Sequence, residues 1–178
     1  REDLSNKFNS LVVNHRPSVN LSKRSFGQFF SAEVAVQYTT LDNDQVFPEL
    51  NSTSNSFLKL LPSVSGRFDL SDNTNLFVRY NTQVGTPSSS QLQEVVDNSN
   101  PLFYSVGNSD LDQSYSHQFF ARLRRSNVDK NTSISNFTSI RNTSDFVTNA
   151  TYTAASDSLI AGDIILPEGG QISQPINV

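Results

Sequence analysis

The sequence predicts an all-β chain whose antiparallel up-and-down strands form part of a transmembrane β-barrel. Three observations lead there. Four segments alternate with a strict period of two, the strand signature. One side of that alternation carries no formal charge while the other collects it. The connections between strands are short and long by turns, as in barrels with tight turns on one side and large loops on the other.

The strands follow in chain order. In residues 29–41, Phe30, Ala32, Val34, Val36 and Tyr38 alternate with Phe29, Ser31, Glu33, Ala35, Gln37 and Thr39. In 57–70, Val64, Gly66, Phe68 and Leu70 alternate with Ser63, Ser65, Arg67 and Asp69. In 75–84, Leu76, Val78 and Tyr80 alternate with Asn75, Phe77, Arg79 and Asn81. In 114–126, Tyr115, His117, Phe119, Ala121 and Leu123 alternate with Ser116, Gln118, Phe120, Arg122 and Arg124. A weaker strand covers 133–141, and a sixth is expected near Phe8 to Val13. The apolar set has 17 positions without charge; the opposite 19 hold Glu33, Arg67, Asp69, Arg79, Arg122 and Arg124. No window repeats apolar residues at i, i+3, i+4 and i+7 over three turns, so no helix is expected.

Ser71 to Thr74 and Asn127 to Thr132 are short and rich in turn formers. Residues 42–56, 85–113 and 145–171 are expected as long outer loops, and a compact soluble domain rarely holds a loop of almost thirty residues. The strands, about ten to twelve residues each, approach the length that crosses a bilayer. The whole chain, 1–178, therefore reads as one partial barrel segment. The alternative is a secreted all-β sandwich, a binding module for a glycan or a protein. It requires the apolar set to meet a second inner face within these 178 residues.

Composition excludes other classes. Asn, Ser and Thr number 19, 28 and 12, or 59 of 178 residues, and favour turns and strands over helix interiors. Cysteine is absent, which removes disulfides and thiolate metal sites. His15 and His117 stand too far apart in sequence for a local zinc motif, and no cofactor or metal is expected. A net charge of −4 gives no case for nucleic acid, and the arginines of RLRR (122–125) alternate between strand faces rather than cluster. No nucleophile–base–acid set stands out, so no catalytic residue is named and an enzyme is not expected. Arg1 reads as an internal or processed start, and the chain as a piece of a longer one.

From about Phe57 to Arg125 the sequence resembles the C-terminal barrel of TonB-dependent outer-membrane receptors, in the branch called the outer membrane protein β-barrel family. The pieces that carry this are LPS (Leu61 to Ser63), RYNTQ (Arg79 to Gln83), PSSSQLQ (Pro87 to Gln93) and NPLFYSVGNSDL (Asn100 to Leu111). The last leads into a strand opening with YSH, Tyr115 to His117. Where the family often has proline in that loop, this chain has Ser109 and Asp112, which predicts a loop fixed less by ring constraint. The resemblance implies an outer-membrane location and uptake of a solute too large for porins. It also implies partners: the remaining strands and the plug domain of the same receptor, the TonB system acting through that plug, a lipoprotein at the cell surface, and the lipid bilayer.

In that frame the apolar set faces lipid, where a charge near the midplane costs about 2–4 kcal/mol. Tyr38, Tyr80 and Tyr115 fall towards strand ends, as interfacial aromatics do. Glu33, Arg67, Asp69, Arg79, Arg122 and Arg124 become a lumen-facing wall. It serves either as a contact for the plug or an anionic solute, or as a solvated interior of salt-bridged arginines. In the loop 85–113, Asn98, Asn100, Tyr104, Asn108 and Asp110 combine amides and an acid with an aromatic ring. That chemistry suits sugar or peptide contacts and equally suits an ordinary turn-rich loop.

Overall fold

The fold is known from a computed structural model, which describes residues 7–47, 51–94, 96–100, 103–155, 158–159 and 165–178. In chain order the elements are β1 (Lys7–His15), β2 (Ser18–Ser25), β3 (Gln28–Phe47), β4 (Asn51–Ser71) and β5 (Thr74–Gly85). The four-residue helix α1 (Ser89–Leu92), β6 (Asp97–Asn100) and β7 (Phe103–Ser105) follow. Then come β8 (Ser114–Asn127), β9 (Thr132–Ser144), β10 (Val147–Thr153), β11 (Ser158–Leu159), β12 (Ile165–Leu166) and β13 (Gln171–Asn177).

The main sheet runs β1-β3-β4-β5-β8-β9, with β2 also paired to β3, and every pairing is antiparallel. Strands β1 and β2 are one strand in all but name. His15 faces Tyr38 and Ser18 faces Ala35, so the register runs on unbroken across Arg16–Pro17. Pro17 has no N–H to give the ladder, yet its carbonyl accepts from Val36 N at 3.0 Å. The result is six long strands in an up-and-down meander, an open section of a membrane barrel rather than a closed one.

One end of the sheet carries tight turns: Phe26–Gly27, Asp72–Asn73 and Val128 to Asn131. Gly27 at φ +66° and Asn131 at φ +48° supply the left-handed backbone that such reversals need. The other end carries the long connections, and here the expected loops need correction. Residues 42–56 are not a loop. Strands β3 and β4 stay paired from Gln28↔Phe68 as far as Gln45↔Asn51, so that, outside the undescribed residues 48–50, this stretch is strand. Its serines, asparagines and aspartates read as turn formers. They pair across the ladder instead, Ser54 Oγ donating to Asp42 Oδ1 at 2.6 Å and Ser52 Oγ to Asp44 Oδ1 at 2.5 Å.

The expected loop 145–171 is also partly strand. β10 pairs with β13 from Val147↔Asn177 to Thr153↔Gln171, and β13 runs parallel to β7, giving a four-stranded sheet β10-β13-β7-β6. Within 85–113 the described chain folds into α1, β6 and β7. β2 was missed because Val19 and Leu21 alone give too short an alternation to notice.

Cross-strand partners lie on the same face, so the register sorts the side chains. Phe30, Gly66, Val78, Ala121 and Thr138 form one row across β3, β4, β5, β8 and β9. Ala32, Val64, Tyr80, Phe119 and Ile140 form the next. From the row Phe68–Leu76–Leu123 to the row Tyr38–Leu58 is ten residues of β4. That is about 34 Å of strand, or about 26 Å of vertical rise at a tilt near 40°, the height of a hydrocarbon core.

Among the described residues the apolar face meets no second sheet. The buried hydrophobic residues among those described are Ala35, Leu41, Leu61, Leu92, Tyr104, Leu111 and Leu166, and none belongs to the alternating apolar set. Val34, Leu58 and Ile140 of that face are 48%, 67% and 60% exposed. An uncovered apolar face of this extent would be an aggregation hazard in water and is the expected surface in lipid. The sandwich alternative, which needs that face covered from within the chain, is set aside.

Candidate functional site, the charged face and its cap

The face opposite the apolar band is built in rows by the same register. One row reads Asn20, Glu33, Ser63, Asn81, Gln118 and Arg141; the next towards the turns reads Ser22, Ser31, Ser65, Arg79, Phe120 and Ser139. Below these lies Arg24, Phe29, Arg67, Phe77, Arg122 and Phe137, with Asp69, Asn75, Arg124 and Ser135 nearest the turns. All six residues expected on the charged wall therefore share one face of one sheet. Arg125 lies on the other face, opposite Thr74 and Ile134.

These arginines have no salt-bridge partner among the described residues. Among the described residues the ion pair present is Lys59–Asp112, at 2.8 Å, far from the arginine rows. Arg67, Arg79, Arg122 and Arg124 are exposed, and aromatic rings take the place of acids beside two of the neighbouring guanidiniums. Arg79 Cζ stands 5.3 Å from the Phe77 ring centre and Arg24 Cζ 5.4 Å from that of Phe29. A ring face attracts a cation without neutralising it, so the positive charge stays available. The rows above are mostly amides and hydroxyls, with Glu33 among them, around an open cavity of about 380 Å³ whose lining includes Asn20, Ser31, Glu33, Ser63, Ser65, Arg79, Asn81, Gln83 and Gln118.

At the end away from the turns the long connection folds onto this same face. Leu41 of β3, Leu92 of α1 and Leu111 pack into a small core, with Val147 against it. Asn55 Nδ2 donates to the Ser109 carbonyl at 3.1 Å, and Lys59 reaches Asp112. Leu41, Asn55 and Lys59 have the parity of Glu33 and Arg67, so the cap sits over the charged face and not the apolar one.

The motifs singled out in the sequence build this cap. In PSSSQLQ, the backbone N–H of Ser88 donates to Gln91 Oε1 at 2.9 Å, which starts α1 and aims Leu92 inward. In SVGNSDL, Gly107 lies so close to the Gln93 carbonyl that a Cβ would sit 2.1 Å from its oxygen, so only glycine fits. Asp112 does what a proline cannot. Its N–H donates to Asn177 Oδ1 at 2.8 Å and its carboxylate binds Lys59, tying the loop to β13 and β4.

The five loop residues expected to meet a ligand are scattered in role. Tyr104 is 8% exposed and stands in β7 beside Ile172 of β13. Asn108 is spent on the fold, its Nδ2 donating to the Pro175 carbonyl at 3.1 Å and its Oδ1 accepting from Asp110 N at 3.0 Å. Asn100 and Asp110 are exposed; Asn98 lies in β6 with its side chain outside the described residues.

Beneath the cap, Asn43 is 3% exposed and neither of its amide atoms has a partner among the described residues. In sequence it stands between Asp42 and Asp44, a run of oxygen donors that alone would suit calcium only weakly. Strand parity puts Asn43 on the face opposite those two, and the described residues hold no metal-ligating cluster.

On the apolar face, Tyr80 Oη and His117 Nδ1 are hydrogen-bonded at 2.8 Å, and Tyr115 meets His117 edge-on at 4.9 Å. Tyr115 Oη also donates to the Leu60 carbonyl at 2.6 Å, just past Ser63↔Asn81, where the ladder between β4 and β5 ends. Tyr115 sits towards the capped edge of the band, and Tyr80, in the row of Val64 and Phe119, nearer its middle.

Neither the curated proteins nor the solved structures give a significant match. A model of the outer membrane protein beta-barrel family matches residues 19–165, from β2 to the start of β12. That span takes in five of the six long strands, the β2 half of the sixth and most of the cap. The chain belongs to the outer membrane protein β-barrel family, and its strands are those of an outer-membrane barrel.

Proposed function

We propose that the chain is a stretch of the barrel of a TonB-dependent outer-membrane receptor that takes up a solute across the outer membrane. The observation that carries this is the position of the cap: the connection from Thr86 to Gln113 folds over the charged face, not away from the sheet. With the apolar band in lipid, the charged face is the lumen wall, and a cap across it stands at the mouth of the passage. A simple open pore has no use for such an obstruction; a receptor that captures a solute and admits it on demand does. The similarity of PSSSQLQ and NPLFYSVGNSDL to receptor barrels supports the same reading, since those motifs build the cap.

In this reading further strands complete the barrel along the edges of β1, β2 and β9, because in lipid each backbone polar group must be paired within the protein. A plug fills the lumen and receives the TonB system from the turn end. Solute is first met at the capped end by exposed loop residues, Asn100 and Asp110 among them, with a surface lipoprotein as a partner. No step is chemical, and the protein is a transporter and not an enzyme.

The test uses cells deleted for the full-length protein and complemented with it, grown on limiting solutes with and without a working TonB system. The expected result is growth on at least one solute only when both are present. Equal rescue in cells lacking TonB would reduce the protein to a passive barrel and end the proposal.

A further inference from the structure

The row Arg24, Phe29, Arg67, Phe77, Arg122 and Phe137 alternates cation and ring across six adjacent strands without a break. Its arginines lie two strands apart, about 10 Å. Arg79 stands one row higher and Arg124 one row lower on the same face. The acids on this face are Asp69, at the turn end, whose backbone N–H bonds the Gly27 carbonyl, and Glu33, one row above Arg79. Six guanidiniums, counting Arg141 in the Glu33 row, against two carboxylates make a positive patch in a chain whose net charge is −4.

A row of cross-strand partners runs perpendicular to its strands, and barrel strands tilt by about 40°. The row is therefore a ramp and not a level ring. Each step from one arginine to the next crosses about 10 Å and climbs about 6 Å along the barrel axis. Rings between the steps hold the guanidiniums apart and offer an oxyanion no competing acceptor. Spaced sites of moderate strength let a charged group enter, step and leave, which a single deep site would not.

We propose that this ramp is a track for an anionic solute, one bearing several carboxylate or phosphate groups, and that such a solute is the cargo. The inference rests on the reading of the charged face as the lumen wall of an uptake barrel. A guanidinium presents paired N–H donors to a carboxylate or phosphate, and the row repeats that offer at regular intervals down the passage. The amide and hydroxyl rows above it, around the cavity between Asn20 and Gln118, would carry the neutral part of the same solute.

The test measures binding of inorganic pyrophosphate to the full-length protein in detergent, by calorimetry, at about 50 and about 200 mM salt. Expected is measurable binding that weakens with salt, as exposed charge pairs do. The variant R67Q/R122Q should bind about tenfold more weakly, R67K/R122K should recover part of the loss, and R125Q, with a like charge loss on the opposite face, should change binding less than about twofold. Absence of pyrophosphate binding at low salt overturns the proposal. So does an equal loss in R125Q. So does a fall in Tm for R67Q/R122Q with binding unchanged, because the row would then be packed against polypeptide rather than open to solute. Should R67Q/R122Q fail to fold, R79Q puts the same question one row higher. Heat-modifiability on a gel checks the barrel separately: a full-length protein lacking it loses the uptake-barrel reading itself, whereas a heat-modifiable protein indifferent to R67Q/R122Q loses only the track.

Discussion

The same strands pass through two solvents, and the two halves of the sheet are held together by opposite means. Between the turns and the Tyr38–Leu58 row, apolar side chains point outward and stay uncovered; stability there comes from the backbone ladder and from lipid. Beyond that row, β3 and β4 continue as a polar hairpin, and the apolar side chains turn inward onto Leu92 and Leu111. The apolar content of one strand thus switches face where hydrocarbon gives way to water. Leu41 sits three residues past Tyr38 and is 1% exposed, whereas Tyr38 is 42% exposed. A small water-type core and a lipid-type band share a single pair of strands.

Substitution in each half should therefore fail in a different way. The largest effect is expected in the cap. Leu92→Ala removes a 2% exposed side chain from a core of three leucines, a loss of about 2–5 kcal/mol, and that core is too small to absorb it. The cap should come loose while the barrel stays heat-modifiable. Limited proteolysis would show new cleavage between Thr86 and Gln113, and a variant that resists protease like the parent would mean the leucines do not hold the cap. In the band, Val34→Arg puts a charge midway up the apolar face and should cost about 2–4 kcal/mol on refolding into lipid vesicles. Thr40→Arg has the same parity but lies beyond the band, and should shift stability by no more than about 0.5 kcal/mol. Equal losses at the two sites would erase the boundary between the halves.

A smaller effect is expected from a polar contact within the band. Tyr80→Phe removes the hydrogen bond to His117 Nδ1 and leaves the ring in place, for a loss of about 0.5–1.5 kcal/mol by urea unfolding in vesicles. A loss matching that of Val34→Arg would mean the Tyr80–His117 pair holds more of the band together than a single hydrogen bond does.

The band was legible in the sequence because lipid imposes a rule that alternation records directly. Within the band, the 17 apolar-set positions of the four main strands, from Phe30 to Leu123, hold no charge, and those strands' charges of that parity, Asp42, Asp44 and Arg125, fall beyond it. The cap was not. Leu41, Leu92 and Leu111 stand singly in polar surroundings and come together only by a fold spanning seventy residues, which no local period can encode. The hairpin extension was misread because Asp42, Asn43, Ser52 and Ser54 are turn formers by composition, and only a partner strand turns them into ladder residues. The arginine–phenylalanine row lay between. Arg24 and Phe29 are equidistant from the turn that joins their strands, as are Arg122 and Phe137 from theirs, so the hairpins make those pairs readable. Arg67 and Phe77 are off by one, through the bulge between Asp69 and Ser71, and no turn sets Phe77 against Arg122. The loop residues read as ligand contacts were chosen for their chemistry, but Tyr104 and Asn108 hold the cap together.

The least effect is expected from the contact that looks strongest on the cap, the 2.8 Å ion pair of Lys59 with Asp112. The Asp112 side chain is 50% exposed, and an exposed pair is worth only about 0–1 kcal/mol because water and salt screen it. The same segment is tied down twice more, by Asn55 to the Ser109 carbonyl and by Asp112 N–H to Asn177. Lys59→Ala should thus leave protease resistance of residues 86–113 almost unchanged, with a slight loss that disappears at high salt. If instead it opens the cap as fully as Leu92→Ala does, the capped half is held by charge rather than by its buried leucines. The contrast between a lipid-held band and a core-held cap would then give way to one between lipid and electrostatics, and the cap would release at high ionic strength.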